Sequence, residues 1–122
     1  MNNHVVWTLD MQVAPGRQAD LRALMHEMAA ATEANEPGTL DYEWSLSQDG
    51  TTCHLFERYV DCAAAEIHMA TFGEKYAARF IELLTPTRVI LYGRPNAAIR
   101  EGLPPGGGGL LSQTHPPHER TR

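Results

Sequence analysis

One carboxylate stands on an otherwise largely apolar strand face in residues 36–61, EPGTLDYEWSLSQDGTTCHLFERYVD. Asp49-Gly50 is a strong hairpin signal, because a type I′ turn needs positive φ at both central residues. Centring the turn there pairs Leu46 with Cys53, Trp44 with Leu55, Tyr42 with Glu57 and Leu40 with Tyr59 on one face. Glu57 is thereby predicted beside Tyr42 and Trp44. Desolvation disfavours its charged form and raises its pKa, so it is a candidate proton acceptor for a phenol or enol. The alternative is a structural carboxylate tied down by Arg79, Lys75 or a backbone donor.

His68 is the second candidate catalytic residue. It stands one turn before Phe72, Tyr76 and Phe80, so a helix puts all of them on one stripe, facing the sheet. A neutral imidazole near Glu57 would complete an acid–base pair whose environments push the two pKa values apart. A helix histidine bonded to a backbone carbonyl is the plainer alternative. Trp7, Tyr42, Trp44, Phe72 and Tyr76 are candidate substrate-binding residues that would wall a pocket for a planar ligand. Trp7 and Tyr76 add an indole N–H and a phenol that can orient it. The same stripe also describes ordinary core packing.

The elements that must position these residues follow from periodicity. Residues 4–13 alternate, with Val5, Trp7, Leu9, Met11 and Val13 on one face, which predicts a half-buried strand. Ala14-Pro15-Gly16 stops it. Leu21, Leu24, Met25 and Met28 recur at helical spacing within 17–34, ahead of Glu36-Pro37-Gly38. The hairpin follows. Asp61 is the expected N-cap of a second helix, interrupted or kinked at Gly73 and ended by Thr85-Pro86. Residues 87–93 predict a fourth strand, and 96–103 a short helix capped by Asn96. Residues 1–103 are expected to form one domain, and 104–122, opening with PPGGGG, a flexible tail.

The order strand, helix, strand, strand, helix, strand predicts an α+β, ferredoxin-like βαββαβ fold. Right-handed crossovers put both helices on one face of a four-stranded antiparallel sheet. The Glu57 face of the hairpin should meet them. The opposite face, with Asp41, Phe56 and Arg58, is then wet or covered by a second chain, Arg58 pairing with Asp41.

A net charge of −5 over 122 residues argues against a nucleic-acid partner. The absence of a long apolar run argues against a membrane partner, and the N-terminus lacks a signal-peptide pattern, so a cytoplasmic location is expected. Cys53 reads as a buried reduced thiol. No metal site is expected, since His4, His26, His54 and His68 lack ligand spacing. Neither a phosphate-binding glycine loop nor a nucleophile elbow occurs.

The runs EPGTLDYEW and HLFERYVDCAAAEIHMATF, with a Pro-Gly loop before the first helix, resemble the antibiotic biosynthesis monooxygenase-like family. The resemblance spans roughly residues 4–95, and TPTRVILYGRPNAAIREGL looks like its quinol-monooxygenase members. Within it, Glu57 corresponds to the glutamate of the FE-x-Y stretch and His68 to the histidine early in the second helix. The resemblance implies a homodimeric α+β barrel with a pocket between each sheet and its own helices. It implies oxidation of a small quinol or polyphenolic substrate by O2, with no cofactor. Other members of the fold are isomerases, haem-degrading enzymes or non-catalytic binders, and those remain the alternatives. The haem reading would use His68 as axial ligand but finds no matching asparagine on the first strand.

Overall fold

The computed structural model describes residues 2–103 and the backbone of residues 110–112. Nine elements follow in order: β1 (Val5–Val13), α1 (Gln18–Asn35), β2 (Thr39–Leu46), β3 (Thr52–Tyr59), α2 (Cys62–Lys75), α3 (Ala77–Leu83), β4 (Leu84–Gly93), α4 (Ala97–Gly102) and β5 (Leu110–Ser112). The strand order is β2-β3-β1-β4-β5. The first four are mutually antiparallel in the ferredoxin-like arrangement, as expected. β5 adds a short parallel edge to β4. It falls in the segment expected to be a flexible tail; residues 104–109 and 113–122 of that segment lie outside the described residues.

The core is the alternation of β1 made solid. Val5, Trp7, Leu9, Met11 and Val13 are buried against Leu21, Leu24 and Met28 of α1. Each large side chain so buried contributes about 1.5–3 kcal/mol relative to exposure. Cys53 belongs to this layer, and burial pushes its thiol up to about 11, which leaves it protonated and inert.

The hairpin register is the expected one from Asp41↔Arg58 through Tyr42↔Glu57 to Leu46↔Cys53. Two details differ. The register shifts between Thr39 and Asp41, so Thr39 rather than Leu40 faces Tyr59. The turn is not type I′, because only Gly50 has positive φ there, at 75°. The strands are instead joined through Ser47, whose N–H donates to Thr52 O at 2.9 Å and whose carbonyl accepts from Gly50 N–H at 2.9 Å. The Asp49 carboxylate ties the loop by accepting from the Ser47 hydroxyl at 2.7 Å and from Thr51 N–H at 3.0 Å. That local bonding replaces the second positive-φ residue.

The second helical stretch breaks at Tyr76, not at Gly73. Asp61 caps it as expected, accepting from Ala64 N–H at 2.8 Å. Thr85-Pro86 does not end a helix: β4 already begins at Leu84 and runs through Pro86. Pro86 is tolerated because β1 and β4 shift register between Asp10 and Met11, where a ladder N–H is not required. Asn96 caps α4, accepting from Ile99 N–H at 3.0 Å.

On the helix-free face, Arg58 Nε donates to Asp41 Oδ2 at 2.5 Å, the expected pair. On the same face His54 pairs with Asp10, at 2.7 Å, in an exposed position. Among the described residues no helix is long and apolar enough to cross a membrane.

Gly38 lets two elements touch. A Cβ there would stand 2.5 Å from the Ala64 side chain and 3.4 Å from Val60 Cγ1. Gly38→Ala is expected to destabilise the fold by about 1–3 kcal/mol, as overpacking does. Urea unfolding of the two proteins measures it, and an unchanged midpoint would show that the contact yields freely.

Candidate active site

Three elements bring three ionisable side chains to one buried line. β3 aims Glu57 at the helices, directly between its pairing partners Tyr42 on β2 and Trp7 on β1. α2 brings His68 down onto the sheet. Glu36 arrives from the end of α1, where Pro37 stops the helix and the Glu36 N–H closes it on Thr32 O at 3.0 Å. All three are buried, with exposures of 8%, 3% and 6% for Glu36, Glu57 and His68.

The side chains form a chain of contacts. His68 Nδ1 lies 2.7 Å from Glu36 Oε1, and His68 Nε2 lies 3.3 Å from Glu57 Oε1. The Tyr59 hydroxyl donates to the same Glu57 oxygen in a short hydrogen bond. Carboxylates only accept, so an imidazolium between them satisfies both with its two N–H groups. Aromatic rings pack the chain on either side: Tyr42 meets His68 edge-on at 5.1 Å, and Tyr59 stacks on Trp7 at 4.8 Å.

Burial raises the pKa of Glu57, against the His68 charge and the hydrogen bonds from Tyr59 and Trp7, which pull it down. Burial acts to lower that of His68, but the Glu36 hydrogen bond and the two carboxylate charges outweigh it and leave it raised. Both shifts favour the protonated form: Glu36 and Glu57 pull His68 toward the imidazolium, and burial makes Glu57 more basic than an ordinary glutamate. The sign for stability is the same for both groups. The folded state holds each proton more tightly than the unfolded chain, so their stabilisation is complete at low pH and is lost as pH rises. The loss begins above 4.5 for Glu57 and above 6.5 for His68. The melting temperature should fall across that window, and a Glu57→Gln, His68→Gln double variant should flatten the slope. An identical slope in the double variant would contradict the assignment.

A cavity of about 410 Å³ opens between sheet and helices directly over this line. Trp7, Tyr42, Glu57, His68 and Phe72 line it, together with Met28 and Met69. Trp44 and Tyr76 do not. Trp44 packs behind Tyr42, its ring 6.2 Å from Phe80. Tyr76 sits at the break between α2 and α3, outside the cavity and under the Arg79 guanidinium at 5.6 Å. The stripe still closes without it, because the break brings Phe72 and Phe80 to 5.0 Å. Arg79 is no partner for Glu57, since it makes paired 2.8 Å hydrogen bonds to Glu27. Sequence reasoning missed Glu36 and the role of Tyr59. The signal for Glu36 was present in the Glu-Pro-Gly run, where a carboxylate precedes a forced helix stop and a glycine that permits close approach.

A largely antiparallel sheet with helices on one face encloses a mainly apolar cavity between the layers, with the buried Glu36–His68–Glu57 line at its floor, in a ferredoxin-like domain. The chain belongs to the antibiotic biosynthesis monooxygenase family, whose model matches residues 5–84. Its fold is similar to that of MupZ from Pseudomonas fluorescens, at 22% identity, 75% of this chain, 73% of that one and a TM-score of 0.67. Rv0793 from Mycobacterium tuberculosis is 30% identical over 78% of this chain and 98% of its own, with a TM-score of 0.63. SnoaB from Streptomyces nogalater, a cofactor-independent oxygenase, shares the fold at 18% identity over 78% of this chain and 96% of its own, with a TM-score of 0.63. No curated protein sequence matches the chain.

Proposed function

We propose that the protein is a cofactor-independent monooxygenase that oxidises a quinol- or anthrone-type aromatic with O2, using Glu57 as proton acceptor and His68 as the group that orients and charges it. The observation that carries this reading is the buried Glu36–His68–Glu57 line under a mainly apolar cavity of about 410 Å³ lined by Trp7, Tyr42 and Phe72. Membership of the family and the fold shared with a cofactor-independent oxygenase support it.

The chemistry asks little of the protein beyond a base and a dry room. Glu57 removes a proton from an activated methylene or hydroxyl, and the resulting anion is electron-rich enough to reduce O2 by one electron. The two radicals combine to a hydroperoxide. Loss of water then leaves a carbonyl where the methylene stood, so that CH2 and O2 become C=O and H2O. The substrate supplies the electrons. The apolar walls keep water from the anion, and the His68 charge opposes the burial of Glu57 and so favours its ionised form.

The reading includes a homodimer joined through the helix-free face, where Phe56 and Ile90 stand near the Arg58–Asp41 pair. It also includes a cytoplasmic location. Oxygen consumption with a panel of quinols and anthrones, on metal-stripped protein, tests the activity. Uptake of one O2 per substrate is expected. No uptake across the panel, with the aromatics still raising the melting temperature, would turn the reading to an isomerase or a binder.

A further inference from the structure

Among the described residues that line the cavity, the exposed ones are Ala70 and Gly73 on α2 and Gly102 on α4, so the cavity meets solvent between these two helices. α2 leaves its side of the opening bare, since a Cβ on Gly73 would meet nothing within 4 Å. α4 forms the other side and is fixed there. Asn96 caps it and also donates from Nδ2 to Glu66 Oε2 of α2 at 3.0 Å. Ile99 is fully buried, and Leu103 N–H closes the last turn on Ile99 O at 3.2 Å. α4 lies beyond residues 5–84, the part that the family model matches, so this rim is outside the shared domain.

Gly102 ends α4, and the backbone does not explain it. Helices often finish on a glycine in the left-handed region just past the last turn. Gly102 has no positive φ, and Leu103 after it is extended, at φ −78° and ψ 147°. Glycine is also a poorer helix former than alanine. What requires the glycine is Met69. A Cβ on Gly102 would stand 2.1 Å from Met69 Cε and 3.8 Å from its Sδ, so the thioether methyl fills the space a side chain would take. Met69 itself lines the cavity and is only partly buried. Its unbranched side chain turns easily, whereas α4 is held at both ends, so a side chain at 102 would displace the methionine rather than the helix.

We infer that Gly102 is a specificity-determining residue: by seating the Met69 methyl against α4 it keeps that side chain out of the opening, and so sets the largest ligand the cavity admits. A ligand of one ring fits below the rim. A ligand of two joined ring systems reaches it, and is the one that Gly102 makes room for. The inference rests on the cavity being the ligand site of the proposed function and is independent of the oxygen chemistry.

The test reads binding alone, with two probes. N-phenyl-1-naphthylamine, neutral and made of two joined ring systems, is followed by its fluorescence; 4-nitrophenol, with one ring, is followed by absorbance. Gly102→Ala should bind the first at least about tenfold more weakly, the scale on which a misplaced methyl group clashes in a packed site. It should bind 4-nitrophenol within about twofold of the unmodified protein. Adding Met69→Ala to Gly102→Ala should restore the naphthylamine affinity to within about threefold, because it removes the displaced group. The melting temperature of Gly102→Ala should not fall, since alanine is the better helix former and the methionine yields. Full naphthylamine binding by Gly102→Ala would overturn the inference alone. So would an equal loss of both probes, a loss that the double variant does not recover, or a lowered melting temperature, which would mean that α4 moves instead. Binding of neither probe by the unmodified protein would overturn the ligand site itself, and the inference with it.

Discussion

Glu57→Gln should lower turnover of a hydroxyaromatic substrate by about 10²–10⁴-fold, the usual yield of a positioned general base. The substitution is nearly isosteric. It keeps an acceptor for the Tyr59 hydroxyl and for His68 Nε2, so the packing of the floor is retained. What it removes is the capacity to take a proton. Substrate affinity, measured by calorimetry without O2, should change little. Equal losses in kcat and kcat/KM would place the effect in the transition state. A variant that turns over normally would show that Glu57 is only a structural carboxylate.

The second large effect is expected at His68. Its positive charge lowers the pKa of Glu57 against the burial that raises it. His68→Ala deletes that charge and lets burial push the Glu57 pKa further up, toward the protonated form. Turnover near pH 7 should fall by about 10²-fold and recover as the pH is raised, because a protonated base is restored by alkali and a misplaced one is not. Glu36→Gln should act in the same direction and more weakly. The Glu36 hydrogen bond and charge, together with the Glu57 charge, hold the His68 pKa up against its burial. Losing the Glu36 contribution lowers the His68 pKa and so weakens the charge that offsets the desolvation of Glu57. The acid limb of the rate profile should therefore move to higher pH in both variants. A uniform loss at every pH would point to collapse of the site instead.

Most of the frame that carries these groups was legible in the sequence, and for a physical reason. Strand side chains alternate with period two, so once Asp49-Gly50 marks the turn, the pairing of Tyr42 with Glu57 follows whatever the turn type. The register survived a wider loop than expected because Ser47 and Thr52 still pair across it. The Asp61 and Asn96 caps announced themselves in the same way. The site was legible only in part. Glu36 lies in a connection, where no periodicity says which way a side chain points, and only tertiary packing against α2 brings it to His68. Tyr76 and Trp44 were expected in the cavity wall on periodicity that does not distinguish core from pocket. The helix break at Tyr76 changed its phase, and Trp44 was taken up by Phe80. The bulge at Thr39 and Asp41 displaced Leu40 from its expected partner, since a single extra residue resets the facing order.

The central claim is that the cavity floor takes a proton from the ligand. The direct measurement is the ultraviolet difference spectrum of a bound chromogenic phenol, recorded without O2 at a pH well below the free phenol's pKa. The account predicts the phenolate spectrum on binding to the unmodified protein and the neutral phenol spectrum on binding to Glu57→Gln. A neutral phenol bound to the unmodified protein, or a phenolate that persists in Glu57→Gln, would contradict it.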